Sequence, residues 1–424
     1  MEIRATLRYY LEPFSLSRLL RSRLTKQTGI LFGSQILLMG VGVLTGVINS
    51  RYLNPEGYGI YSFVLAIASF LNIFFGFGFT LAGARLIALA INEENEREIA
   101  GSLLIVGIFM GVLFSLTLFI SGFFIDRIFH TNIKRIVMLI SVISGVIPFQ
   151  LMMGDVLRGA NKIKELAFLD IIPRVWYLGT ILILITISNL TPLSALFLNL
   201  GGLLIACVIL PWRLKPVFRN VKLNLRLLWK ETKEYGAKVY LGSIADSSTY
   251  KLDSMFIASF VNTTSVGFYS LAGTLVSPIS KLSSAMSISL FKGFTKAKKI
   301  EKKVIWFNVI WLISCLAILT IGGNFIVITL FSAKYLPVVE LVFPLAIAGF
   351  CQGMYTPLNM FLSAHRKGKE LRYISFVEAG FNLAGNYVFI YYWGAMGAAI
   401  ASAIAKGIEL ALNVFFYRKT VLEG

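Results

Sequence analysis

Runs of about twenty apolar residues follow one another along the whole chain, and they leave few folds open. In hydrocarbon every backbone N–H and C=O must be satisfied within the protein, so such runs cross a bilayer as α-helices. Twelve spans can be read, at about 28–50, 58–83, 99–122, 134–156, 167–188, 191–211, 238–260, 266–290, 304–330, 337–361, 373–393 and 394–416. No stretch between them is long enough for a soluble domain. The expected fold class is therefore an all-α polytopic membrane protein. Composition agrees: 14% of the 424 residues are charged, against roughly a quarter in soluble domains. Pro148, Pro192, Pro278, Pro344 and Pro357 fall inside spans or at their ends, where kinks are expected.

The chain carries a formal charge of +19. In a soluble protein that excess suggests nucleic acid. Here it sits in short loops, which excludes nucleic acid in favour of anionic lipid headgroups. With the N-terminus inside, the inner segments carry about 31 of the 40 Lys and Arg, and the outer loops about five. Both termini are thus expected on the cytoplasmic side of the cell membrane. The outer loops "SNLT" (188–191), "FVNTTSV" (260–266) and "WGAMG" (393–397) hold no charge. Residues 1–27 lack the apolar core of a signal peptide. Leu7, Tyr10, Leu11 and Phe14 recur at helical spacing beside Arg4, Arg8 and Arg18, as in a helix lying on a membrane. A second surface helix is expected in the basic segment 212–237, with Leu225, Leu228 and Trp229 on one face. Cys207, Cys315 and Cys351 lie in apolar runs and read as small core residues. No His, Cys or carboxylate set has metal-ligand spacing and no phosphate-binding loop appears, so no cofactor is expected beyond a coupling cation.

The spans repeat. "NPEGYGIYS" (54–62) is echoed by "NTTSVGFYS" (262–270), which sets Gly59 on Gly267, Tyr61 on Tyr269 and Ser62 on Ser270 at an offset of 208. "NKIKELAF" (161–168) and "RKGKELRY" (366–373) match at 205, after spans four and ten. The implied unit is six spans, and an even number keeps both copies in one orientation. Two six-helix lobes, 28–211 and 238–424, are then related by a pseudo-two-fold along the membrane normal, with a cavity between them. Such a pair suits alternating access.

The stretch "SRYLNPEGYGIYSFVLAIASFLNIFFGFGF" resembles the polysaccharide-biosynthesis flippases of the multidrug/oligosaccharidyl-lipid/polysaccharide exporter superfamily. The resemblance is carried by Arg51, Leu53, Pro55, Glu56, Tyr58, Gly59, Tyr61 and Ser62. It continues through "LDSMFI" (252–257), "VGFYS" (266–270) and the final "WGAMGAAIASAIA" (393–405). "SLFKGF" departs from the family in lacking a proline, and two further spans of the peptidoglycan-precursor flippase are missing. The resemblance implies a monomeric flippase that moves a polyprenyl-diphosphate-linked oligosaccharide from the inner to the outer leaflet. Membrane lipids, a polysaccharide polymerase and glycosyltransferases are the partners it implies. The alternative within the superfamily is a cation-coupled multidrug or small-molecule exporter, with Asp246 or Asp253 carrying the ion.

A diphosphate in a low-dielectric cavity needs cations. An intramembrane Lys or Arg costs about 2.5–3.5 kcal/mol on insertion scales, so each is a candidate site. "SIADSSTYKLDS" (243–254) is too polar to face lipid and marks Asp246, Lys251 and Asp253 as cavity residues, though Lys251 and Asp253 could also neutralise each other. Lys281 has no acidic residue within a turn. Lys406 lies three residues from Glu409, which also fits a local ion pair. Arg51 and Arg85 are near span ends, where they can snorkel to the interface. Glu378, Asn382 and Asn386 share one face, suited to sugar or to holding helices together. Asp170 with Arg174, and Asp155 with Arg158, read as local ion pairs. A cysteine replacing Thr263 is expected to react with an impermeant thiol reagent added outside the cell; protection there would overturn the orientation.

Overall fold

The structure, a computed structural model, describes residues 23–76, 78–236, 240, 252–295 and 297–423. Every regular element among them is helical. Spans one and two are the two halves of the helix Arg23–Ile73, which turns at Asn54. Span two resumes as Phe79–Ala88. Spans three to six are Glu93–Phe129, the pair Lys134–Ser144 and Val146–Gly159, Ile163–Ile187, and Pro192–Leu214. After the connecting helix Val221–Glu231 come 252–260, Thr263–Phe294, Lys302–Leu330 and Pro337–Ala364 as spans seven to ten. Gly368–Glu423 turns at Gly394 (φ 54°) and supplies spans eleven and twelve.

Local chemistry sets these bounds. At Asn54 the backbone is left-handed (φ 58°), the side chain accepts a hydrogen bond from Gly57 N–H at 2.9 Å, and Pro55 follows where its missing N–H costs nothing. Asn262 caps span eight in the same way, accepting from Ser265 N–H at 2.8 Å. The echoed motif is thus a duplicated helix start. Span six opens with a capping box between Thr191 and Ser194 and with Pro192 in its first turn. Span four breaks at Gly145, not at Pro148, because Pro148 falls in the first turn of the second segment. Pro278, Pro344 and Pro357 lie within continuous helices.

The side on which the described chain starts and ends is called here the termini side, the opposite one the far side. One apolar core joins both lobes on the far side, including Tyr58, Phe63, Ile181, Ile257, Val266, Tyr335 and Ile390. Toward the termini side the cores separate. One lies wholly among spans two to six and the connecting helix, including Leu103, Met153, Leu210 and Leu228. The other lies around Phe294, Ile300, Leu358 and Phe361. The lobes therefore meet at one end and part at the other.

The far-side contact runs backbone to backbone. A Cβ placed on Gly59 would collide with the Thr263 carbonyl, and one on Gly267 would sit 2.8 Å from the Gly59 Cα. Beside it, Arg51 donates to the Leu330 carbonyl at 2.7 Å and to the Thr329 carbonyl, covering acceptors that the end of span nine leaves open. Tyr335 donates to the Ser50 carbonyl at 2.7 Å and packs edge-on against Tyr58 and Phe268. Arg51 thus seals the lobes together.

On the termini side the connecting helix is tied to the first lobe. Arg85 pairs with Glu231 at 2.6 Å, and Trp229 stacks on Phe79. Leu228 is buried, while Leu223, Leu227 and Trp229 stay exposed among Lys222, Arg226 and Lys230. Residues 1–22, including the expected surface helix there, lie outside the described residues. Replacing Gly59 with Val is expected to destabilise the protein by about 1–3 kcal/mol through overpacking. Gly40→Ala, where a Cβ meets nothing within 4 Å, is expected to be silent; thermal melting in detergent compares the two.

Candidate functional site

Between the lobes lies a cavity of about 830 Å³. Gln35, Arg158 and Asp170 line it from the first lobe; Asp253, Tyr269, Lys281, Asn382, Ser402 and Lys406 line it from the second. Span eight presents Ser277, Ser280, Lys281 and Ser284 to it, a polar stripe at helical spacing. That stripe explains why span eight is not among the eight helices that, among the described residues, are apolar enough to span by composition. The lining reaches the termini-side end at Arg158 and Ile163, and the joined core closes it on the far side.

Lys281 is exposed in the cavity; Arg174 lies close enough to act electrostatically on both Lys281 and Asp170, and Arg158 on Asp170. Arg158 and Arg174 of the first lobe thus flank Asp170, and Arg174 also reaches Lys281 of the second. Arg158 bonds Asp155 at 2.5 Å, the pair its spacing suggests, and still lines the cavity. Asp170 and Arg174 form no ion pair within 4.0 Å among the described residues; both contribute to the cavity field instead.

Deeper in the second lobe the polar groups are hydrogen-bonded to one another. Asp253 is 5% exposed. It accepts from Tyr269 Oη at 2.7 Å, Asn386 Nδ2 at 2.5 Å and Ser402 Oγ at 3.3 Å. Asn386 also donates to Asn382 at 2.7 Å. Span seven's carboxylate is therefore held by spans eight, eleven and twelve. One turn further along, Lys406 lies 2.6 Å from Glu409 and 3.1 Å from Glu378, and donates to Tyr355 Oη at 3.4 Å. Burial of such a cluster is tolerable only because its members neutralise and hydrogen-bond one another.

The first lobe holds a counterpart. Tyr177 Oη donates to Asn49 Oδ1 at 2.7 Å, and Asn199 Nδ2 donates to Tyr61 Oη at 3.1 Å. These come from spans one, two, five and six. By chain position Asn49, Tyr61, Tyr177 and Asn199 correspond to Asp253, Tyr269, Asn386 and Ser402, at offsets close to that of the echo. The two tyrosines of the echo therefore anchor equivalent networks, and only the second contains an acid.

Of the other residues singled out from the sequence, Arg51 lies in the far-side seal and Arg85 at the connecting helix, both away from the cavity lining. Asp246 and Lys251 lie outside the described residues. Sequence reasoning passed over Arg158, Asp170 and Arg174 as cavity groups because a nearby opposite charge offered a local explanation. Tyr269 and Ser402 were passed over because single hydroxyls in an apolar run carry little signal. The offset applied to Asn49 and Asn199 would have marked both networks. Among the described residues no three His, Cys, Asp or Glu side chains group as a metal site.

Two lobes of six spans about a central polar cavity are the architecture of known membrane transporters. Lipid II flippase MurJ, in an inward closed conformation, superposes with a TM-score of 0.71 at 14% identity, over 93% of this chain and 89% of that one. A multidrug resistance MATE family transporter of the MOP superfamily gives 0.67 in its inward-facing form, at 14% identity over 91% of this chain and 94% of the other. An outward-facing form under the same description gives 0.55, at 13% identity over 97% and 99%. The chain shares its fold with these transporters. A family model described as polysaccharide biosynthesis protein matches residues 24–291, and the chain belongs to that family. An uncharacterized membrane protein in the cps region of Klebsiella pneumoniae is 24% identical over 417 residues, covering 92% of this chain and 81% of the relative.

Replacing Lys406 with Met removes the cation that Glu378 and Glu409 share. The expected cost is about 3–5 kcal/mol, read as a lower melting temperature in detergent. Adding Glu378→Gln and Glu409→Gln to Lys406→Met is expected to recover most of it.

Proposed function

We propose that this protein is a flippase that carries an anionic lipid-linked oligosaccharide, of polyprenyl-diphosphate type, from the inner to the outer leaflet for surface polysaccharide synthesis. The observation that carries the reading is that Arg158 and Lys281, one from each lobe, line a cavity that reaches the basic, termini side, with Arg174 close enough to act on Lys281. The positive-inside rule assigns that side to the cytoplasm. The diphosphate would meet Arg158 and Lys281 in the cavity, with the lipid tail left in the bilayer. The serine stripe of span eight would offer hydroxyls to the sugars. Membership in a polysaccharide biosynthesis family supports this cargo over others.

Alternating access then requires the separate cores of the two lobes to close on the cytoplasmic side while the shared core opens on the outer side. That opening breaks the bonds of Arg51 and Tyr335 to backbone carbonyls of the other lobe. A coupling cation, if it drives the cycle, would bind at Asp253, a buried carboxylate beside the hydroxyl oxygens of Tyr269 and Ser402 and the amide of Asn386. The equivalent network in the first lobe, built on Asn49, has no charge to offer a cation. A cationic drug would meet the like charges of Arg158 and Lys281 on the cavity wall, which disfavours the multidrug exporter.

Lys281→Ala is expected to lower export of the polymer about tenfold or more, by loss of a charged contact to phosphate, while protein in the membrane stays constant. Full export by that variant would remove Lys281 from the site. Extrusion of a cationic dye by the purified protein, with no movement of polyprenyl-diphosphate oligosaccharide in the same vesicles, would favour the exporter. Asp253→Asn is expected to abolish dependence of transport on an imposed ion gradient.

A further inference from the structure

A second cavity, of about 1240 Å³, lies among spans three, four and six. It shares no lining residue with the central one. On span three its wall runs along one face, Leu104, Ile108, Val112, Leu116 and Phe119 with Gly107, Gly111 and Ser115 beside them. Leu104 to Phe119 is about 22 Å of helix, a length that lays out a lipid chain rather than a compact solute. Val142 and Phe149 of span four and Leu204 and Val208 of span six complete it.

The groove is a fixed feature. Spans three and four touch backbone to backbone on its floor: a Cβ on Gly111 would lie 2.7 Å from the Gly145 carbonyl, and one on Gly145 2.5 Å from the Gly111 carbonyl. Ser115 Oγ accepts the Gly145 N–H at 3.0 Å, where span four breaks.

Its termini-side end is chemically different. Trp212 and Phe218 are exposed there, and Lys215, also exposed, is part of the lining. The Lys215 backbone is held in place: its carbonyl accepts from Arg97 Nε at 2.7 Å, and Val217 N–H donates to the Arg97 carbonyl at 3.0 Å. Of the glutamates that open span three, Glu94 pairs with Arg219 at 3.5 Å, Glu96 with Lys162 at 2.6 Å, and Glu98 accepts from Asn220 at 3.2 Å. An apolar trough within the bilayer that ends in interfacial aromatics and a cation matches a lipid with an anionic head.

We infer that this groove is a binding site for an anionic phospholipid of the termini-side leaflet, one acyl chain lying along span three and the phosphate at Lys215. A lipid seated there is not the cargo, since the groove and the central cavity are lined by different residues. The inference stands whether or not the flippase reading holds.

Native mass spectrometry of the full-length protein in detergent tests it, with added phosphatidylglycerol, phosphatidylcholine or polyprenyl phosphate as probes. Phosphatidylglycerol is expected to stay bound under activation that strips phosphatidylcholine. Lys215→Ala is expected to weaken its retention about fivefold. Val142→Trp, filling the groove at a residue 76% exposed, is expected to displace it with Lys215 intact. Leu116→Trp fills the facing wall and serves equally if the first variant is not monodisperse. Equal retention of phosphatidylglycerol and phosphatidylcholine, unchanged phosphatidylglycerol in the filled variants, or preference for polyprenyl phosphate would each overturn the site.

Discussion

The approach of Gly59 to Thr263 and Gly267 is the contact on which the rest of the arrangement depends. Two helices, each opened by an asparagine cap, cross with no side chain between them. Apolar burial gives little reason for helices to associate in lipid, so close backbone packing must supply it. Because the lobes are fastened at this one end, they are free to stand apart at the other, and the cavity exists in the space between. The cations of that cavity are tolerable for the same reason. They border an open, polar volume rather than hydrocarbon.

Duplication produced two similar frames and one difference that matters chemically. Tyr61 and Tyr269 occupy equivalent places in equivalent networks, yet the first bundle is held by amides and hydroxyls and the second by Asp253. Lys406, Glu378 and Glu409 extend the charge further into the second lobe. The first lobe contributes Arg158, at the termini-side end of the cavity, and Arg174 instead. A symmetric scaffold thus carries an asymmetric field, with anion-attracting groups at the mouth and a buried acid beyond them.

Much of the fold was legible because its signals are strong ones. The apolar runs and the echo of "NPEGYGIYS" in "NTTSVGFYS" follow from solvent and backbone constraints that leave few alternatives. The cavity was less legible. Lys281 and Lys406 stood out because a cation in an apolar run has no cheap explanation, whereas Arg158 and Arg174 had acids within a turn that hid their second role. Arg51 and Arg85 were drawn toward the cavity by the same reasoning, but tertiary placement gives them partners that spacing cannot show: carbonyls 279 residues away for Arg51 and Glu231 for Arg85.

The seal has one property that bears on how such a protein changes over generations. Arg51 and Tyr335 grip main-chain oxygens of Leu330, Thr329 and Ser50, not side chains. A carbonyl is present whatever residue occupies the position. The gripped half of each fastening is therefore indifferent to substitution, and only the gripping residue is exposed to mutational loss. Span nine can drift in composition to suit a different bilayer while the lobes keep the same point of closure.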